Sequence, residues 1–142
     1  GMVGGQFIDI HATNSDMTLE QLQAMHSLKT GALIRASLAL GGIAAGASEQ
    51  QLAALDDYGT HIGLAFQVVD DILDVTQASE TLGKTAGKDA VAQKCTYPAV
   101  YGIEESRKKA TEYVNAAVEA LTGWKSADEL RNLAQYILHR IR

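Results

Sequence analysis

Apolar residues recur along this chain at three- and four-residue steps, and no stretch shows the two-residue alternation of a half-buried strand. Residues 1 to about 11 read as the tail of a helix loosened by glycines, and 12 to 17 as a polar turn. Thr18-Leu19-Glu20-Gln21 then fits a capping box, with Thr18 as N-cap and Gln21 reaching back to it. Leu22, Met25, Leu28, Ala32 and Leu33 follow at helical spacing, so a helix is expected to about Ala45, with Gly31 as a weak point near its middle. Ser48-Glu49-Gln50-Gln51 is a second capping box. It opens a segment in which Leu52, Leu55, Tyr58, Gly59, Ile62, Phe66, Val69 and Leu73 share one face, an amphipathic helix of about seven turns. Residues 77 to 96, with Gly83, Gly87, Lys84, Lys88 and Lys94, read as a basic loop. Beyond Pro98 the pattern predicts a short helix, then a longer one from about Glu104 to Leu121 stopped by Gly123. A third capping box, Ser126-Ala127-Asp128-Glu129, is expected to start a last helix carrying Leu130, Leu133, Tyr136, Ile137 and Ile141. The fold class is therefore all-α.

Composition agrees. The 142 residues hold a single proline, Pro98, and 46% of them are apolar against 20% charged. That is the balance of a globular helical domain large enough for a core of its own. The net charge of −5 argues against nucleic acid as the main partner, since phosphate backbones call for a clustered basic surface. It leaves room for a small anion, because a metal ion can bridge acid to acid. The lone Cys95 can form no internal disulfide, a state that fits the cytoplasm. No apolar run reaches the length of a membrane span, and no signal peptide is visible.

The candidate chemistry begins at Asp70, Asp71 and Asp74 on the long helix. Four residues advance a helix by about 400° and about 6 Å, so Asp70 and Asp74 share a face. Carboxylates so placed repel unless a cation joins them, and Mg²⁺ takes one or two carboxylates together with waters and phosphate oxygens. Gln67 stands one turn before Asp70 and can orient a metal-bound water or a substrate. The plainer reading is an acidic, solvated helix end, though acids there oppose the macrodipole. Spacing alone leaves both readings open. Asp56-Asp57, an acidic pair on the same helix without a third acid, reads as surface.

Lys29-Thr30-Gly31 puts a cation and a hydroxyl beside a glycine inside an Ala/Leu-rich helix. A local kink there would aim both at an anion; taken alone, the segment reads as a surface lysine beside a tolerated glycine. Gly83-Lys84-Thr85 is not a phosphate-binding P-loop, because Ala78 stands where that pattern requires glycine and no strand precedes it. Lys84 and Lys88 can instead close over a metal-bound anion, or belong to a solvated linker. His11, His26, His61 and His139 have no ligand spacing and read as packing or surface residues, and Cys95 has no base near it in sequence.

These signals fall in a definite order: Gly4-Gly5-Gln6 with Asp9, Lys29-Thr30-Gly31, Phe66-Gln67-Val68-Val69-Asp70-Asp71-Ile72-Leu73-Asp74, Gly83-Lys84, Gly87-Lys88-Asp89, and Thr96-Tyr97-Pro98. The order resembles the short-chain trans-isoprenyl diphosphate synthases, nearest the bacterial farnesyl diphosphate synthases (geranyltranstransferases), over essentially the whole chain. The Phe-Gln lead into the aspartates is the specific element. The resemblance implies a Mg²⁺-dependent condensation of an allylic diphosphate with isopentenyl diphosphate, with metal ions and lysines stabilising charge on the departing diphosphate. It implies Asp70 as a direct Mg²⁺ ligand, with Asp71 and Asp74 supporting it or holding metal-bound water. Lys29, Lys84, Lys88 and Gln6 would meet the diphosphate. Thr30 and Gln67 would line the allylic pocket and assist the cation or the proton loss, and Gln6 and Asp9 would face the same cavity.

The family carries a first aspartate-rich motif, with nearby arginines, that this sequence lacks. The expectation is therefore that residues 1–142 are the C-terminal half of an isoprenoid-synthase-type bundle, that Gly1 is not a true start, that the full-length protein is a homodimer, and that this part alone is inactive. Two other readings are a non-catalytic prenyltransferase-like partner subunit and an unrelated helical metal-binding domain. The retained Asp70, Asp71, Asp74, Lys29 and Lys84 argue against the first, and the ordered lysines beside the acids against the second.

Overall fold

A computed structural model describes the backbone of residues 1–11, 18–91 and 96–141, and their side chains except those of 19 and 78–91. In chain order its elements are α1 (Met2–His11), α2 (Leu19–His26), a π-helical turn (Ser27–Gly31), α3 (Ala32–Ala44), α4 (Glu49–Val91), α5 (Tyr97–Tyr101), α6 (Ile103–Ala120) and α7 (Asp128–His139). The described residues contain no strand. The polar turn expected at 12 to 17 lies outside the described residues.

Two of the three capping boxes form. The Thr18 N–H donates to Gln21 Oε1 at 2.9 Å while Thr18 Oγ1 accepts the Gln21 N–H at 3.3 Å. Ser48 and Gln51 repeat the exchange at 2.9 and 3.3 Å. The third does not form. Ala127, one residue after Ser126, occupies the N-cap position of α7 and makes no side-chain cap bond. Arg131 secures that corner instead: its guanidinium donates to the carbonyls of Leu121 and Trp124 at 2.8 and 2.7 Å and pairs with Asp128.

The expected loop from residue 77 is also corrected as far as Val91, because α4 runs on without a break for 43 residues. Gly83 and Gly87 are tolerated in that helix; glycine weakens a helix by about 1 kcal/mol per residue without being a barrier to it. Residues 92–95, with Lys94 and Cys95, lie outside the described residues.

α4 is the central element and packs against the π turn, α3, α5, α6 and α7. Its buried face carries Leu55, Tyr58, Ile62, Ala65, Val68, Val69 and Ile72, which meet Ala110, Val114, Ala117 and Leu121 of α6 and its end, and Ala134, Ile137 and Leu138 of α7. The last helix is less buried than its periodicity suggests: Leu133 is 51% and Tyr136 64% exposed.

α3 and α4 approach closely and antiparallel through glycines. A Cβ on Gly42 would lie 2.7 Å from Leu55 Cδ1, one on Gly59 2.8 Å from Leu38 Cδ1, and one on Gly63 3.0 Å from Gly31 Cα. α1 docks the same way on the π turn itself, where a Cβ on Gly5 would lie 2.2 Å from the Lys29 backbone nitrogen. The π turn is thus held between Gly5 of α1 and Gly63 of α4. Such a turn accommodates an extra residue within a helix and is common where side chains must be re-aimed.

Candidate functional site

Asp70, Asp71 and Asp74 stand where α4 emerges from the core, each following or preceding a fully buried residue (Val69, Ile72) within two positions. Their side chains diverge. Asp70 is half-buried and Asp74 exposed, and the two carboxylates interact electrostatically along one face. Asp71 turns elsewhere: its Oδ2 accepts the backbone N–H of Tyr97 at 3.0 Å, at the start of α5. Thr96, the N-cap of α5, accepts the Ala99 N–H at 3.3 Å through its own hydroxyl.

Burial pushes the Asp70 carboxyl above the usual aspartate range, against the pull of Arg140 and with Asp74 adding to the rise. Arg140 Nη1 lies 2.9 Å from Asp70 Oδ1, and its guanidinium carbon lies 5.2 Å from the centre of the Phe66 ring. Sequence reasoning missed Arg140. Its only signal is a basic residue past the last helix, which does not differ from ordinary charge at a helix C-terminus.

Phe66 and Arg140 help to line an apolar groove of about 660 Å³. Leu33, Ile34, Ser37 and Leu38 of α3, Tyr58 and Ile62 of α4, and Leu133, Tyr136 and Ile137 of α7 line the rest. The poor burial of Leu133 and Tyr136 has its explanation here, since they form a groove wall rather than core. Tyr58, one of the lining residues, donates its hydroxyl to the Leu130 carbonyl at 2.8 Å, and burial pushes its pKa up to about 12.

The second cluster is the π turn. Lys29 and Thr30 both lie within it. Lys29 Nζ reaches Asp9 Oδ2 of α1 at 2.7 Å, so α1 supplies the lysine's counter-ion. Lys29, Thr30 and Gly31 stand in this π turn within a continuous helical path from Leu19 to Ala44. The Gly31–Gly63 contact seats the turn on α4, and the next turn of α4 on that face carries Gln67, half-buried. Gln6 is exposed on α1. The backbones of Lys84 and Lys88 belong to α4, and their side chains lie outside the described residues.

His26, just before the π turn, is buried and its Nδ1 has no hydrogen-bond partner. Burial and the neighbouring Lys29 charge lower its pKa to about 4, with Asp9 opposing. It stacks on Tyr97 with ring centres 6.2 Å apart. The Tyr97 hydroxyl meets the Tyr113 hydroxyl at 3.4 Å, and Gln23 Nε2 donates to the latter at 3.0 Å. Asp56 and Asp57 are exposed, as expected, and paired with Arg35 and His61.

Among the described residues no group of three or more His, Cys, Asp or Glu side chains comes together where it could hold a metal ion. An open pair of hard oxygen donors, Asp70 and Asp74 one turn apart, is nevertheless a donor set that suits Mg²⁺, which keeps waters and takes phosphate oxygens for its other positions. No helix of the described residues is long and apolar enough to cross a membrane.

The model of the polyprenyl synthetase family matches residues 1–137. The chain is 46% identical over 143 residues to the chloroplastic geranylgeranyl pyrophosphate synthase of Catharanthus roseus, covering 99% of this chain and 40% of that protein. It is also 46% identical over 145 residues to the farnesyl diphosphate synthase of Escherichia coli, covering 99% of this chain and 48% of that one. Among solved structures it resembles an FPP/GFPP synthase from Zymomonas mobilis, with a TM-score of 0.79 and 34% identity over 96% of this chain and 45% of that one. The geranyltransferase of Helicobacter pylori complexed with magnesium and isoprenyl diphosphate matches with a TM-score of 0.74 and 34% identity, over 98% of this chain and 46% of that one. The chain therefore spans less than half the length of these relatives.

Proposed function

The chain belongs to the polyprenyl synthetase family, and from that premise we propose that it is the C-terminal part of a Mg²⁺-dependent trans-prenyltransferase that condenses an allylic diphosphate with isopentenyl diphosphate to give farnesyl diphosphate. The observation that carries this reading is the Asp70–Asp74 face, a pair of hard oxygen donors joined through the Asp70–Arg140 pair to an apolar groove that Phe66 and Arg140 help to line. Such a groove suits a hydrocarbon tail, and such a face suits a metal-bound diphosphate head.

In this reading Asp70 and Asp74 hold Mg²⁺, which when bound neutralises charge on a departing diphosphate. Asp71 supports the site indirectly, by fixing α5 against α4. Lys29 is held within reach of an anion by the π turn, with Asp9 keeping its ammonium ordered. Thr30 and Gln67 lie on facing elements and present a hydroxyl and an amide for orienting the allylic cation or taking up the proton that is lost. Gln6, Lys84 and Lys88 are assigned to the diphosphate by resemblance alone. A homodimer in the cytoplasm extends the same reading to the full-length protein.

The sequence contains one Asp-Asp-x-x-Asp motif, at Asp70 to Asp74; in this reading, which takes the second motif from the family resemblance, it is one acidic jaw of a two-jawed site. The 142-residue chain incubated with geranyl diphosphate, isopentenyl diphosphate and Mg²⁺ is expected to form no farnesyl product, and turnover above a protein-free control would overturn the one-jaw reading. Calorimetry is expected to register Mg²⁺-dependent diphosphate binding that weakens by on the order of tenfold, ~1.4 kcal/mol, in Asp70→Ala. Equal binding by that variant would remove Asp70 from the metal site.

A further inference from the structure

Phe66, Asp70 and Asp74 form one row on α4, each a helical turn from the next. Arg140 lies across the first two. Its guanidinium sits over the Phe66 ring, 5.2 Å from the centroid, and its Nη1 pairs with Asp70 Oδ1 at 2.9 Å. The contact is not a loose surface encounter. Arg140 is the C-cap residue of α7, with its backbone N–H turned back to Ile137 and Leu138. The next residue, Ile141, is buried, and its carbonyl accepts from the Arg107 guanidinium of α6. The backbone on both sides of the arginine is therefore tied down, and the Phe66 face fixes the plane of the guanidinium.

An arginine cannot leave a carboxylate by losing its proton, because its pKa lies far above any working pH. A metal ion that takes the same oxygen must displace it. We propose that Arg140 is the resident cation of Asp70 in the metal-free chain and that Mg²⁺ binding at the Asp70–Asp74 face displaces it, so that Arg140 sets the affinity of the site by competition. The inference rests on the metal role proposed for Asp70. The alternative geometry has Mg²⁺ on Asp70 Oδ2 with Arg140 still on Oδ1. There the guanidinium would orient the carboxylate, and its removal would leave affinity unchanged or lower it.

The test is Mg²⁺ binding by calorimetry to the 142-residue chain and to Arg140→Ala, Arg140→Lys, Asp70→Asn and Arg35→Ala. Arg35→Ala removes the same charge from a pair with Asp56 elsewhere on the chain, and so controls for net charge. Competition predicts binding roughly threefold tighter or more in Arg140→Ala, the range opened by losing a half-exposed ion pair. It predicts a smaller gain in Arg140→Lys, which keeps the charge without the planar stacking, and no gain in Arg35→Ala. It also predicts that the Arg140 Nε–H resonance of the wild-type chain moves as Mg²⁺ is added, and does not move in Asp70→Asn. Circular dichroism of each variant guards against loss of fold. Asp70-dependent binding of equal or lower strength in Arg140→Ala overturns the competition and leaves the metal role intact. Equal gains in Arg35→Ala and Arg140→Ala also overturn it. Absence of Asp70-dependent binding in every protein overturns the metal role, and the competition with it.

Discussion

The carboxylate of Asp71 accepts the backbone N–H of Tyr97 at 3.0 Å, joining the middle of α4 to the first residue of α5. Neighbouring aspartates on one helix thus do different work. Asp71 ties α4 to α5, while Asp70, half-buried beneath Arg140, and the exposed Asp74 share a face.

This division predicts opposite behaviour for the neighbours. Asp71→Ala leaves the N–H of the buried Tyr97 without its charged acceptor and is expected to cost about 1–2 kcal/mol of stability, the range for losing a helix cap or a charge-assisted hydrogen bond. Asp71→Asn keeps an acceptor oxygen and should cost less. Asp74→Ala, at an exposed position, should leave stability within about 0.5 kcal/mol. Urea denaturation of the three variants checks the order; equal losses at Asp71 and Asp74 would contradict it.

The docking of α1 on the π turn predicts a contrast between adjacent glycines. A Cβ at Gly5 would come within 2.2 Å of the Lys29 nitrogen, a backbone atom that has nowhere to move, whereas a Cβ at Gly4 meets nothing within 4 Å. Gly5→Ala is expected to lower stability by about 1–3 kcal/mol through overpacking and to free α1, with loss of the Lys29–Asp9 pair. Gly4→Ala should be neutral or stabilising by up to about 1 kcal/mol, from helix propensity. Hydrogen exchange of the α1 amides distinguishes the two.

His26 predicts an acid limb in stability. Its folded value, about 4, lies below the ordinary 6.5, so the folded state binds fewer protons than the unfolded one between these values. The contribution is fully present above pH 6.5 and is lost as pH falls toward 4, for a total on the order of 3 kcal/mol. His26→Phe keeps a ring against Tyr97 and removes the proton site. The variant should lose less stability than the wild type between pH 7 and pH 4 in denaturation experiments, and parallel curves would contradict the assignment.

The parts of the fold that were legible in sequence rest on short-range physics. The Thr18 and Ser48 boxes close within one helical turn, so residue type and spacing suffice to specify them. The Ser126 box fits the same pattern and fails: α7 starts one residue later, with Ala127 at the N-cap position, and Arg131 binds the Leu121 and Trp124 carbonyls at that corner. Gly83 and Gly87 signal a loop by composition, yet α4 continues to Val91, since glycine lowers helix propensity without ending a helix. In the site, the shared face of Asp70 and Asp74 followed from helix geometry. The diversion of Asp71 to Tyr97 did not, because its partner lies 26 residues away.

The sequence by itself determined the all-α class, most helix starts, the row of residues that leads into the aspartates, and the order of motifs that marks the family. Each depends on contacts within a turn or on residue identity. Tertiary structure alone decided that Lys29 pairs with Asp9, that Arg140 covers Asp70, and that Leu133 and Tyr136 wall a groove rather than fill a core. Those outcomes depend on how closely helices approach. The approach is set by three-dimensional contacts such as Gly5 on the π turn and Gly63 on Gly31, which no periodicity along the chain encodes.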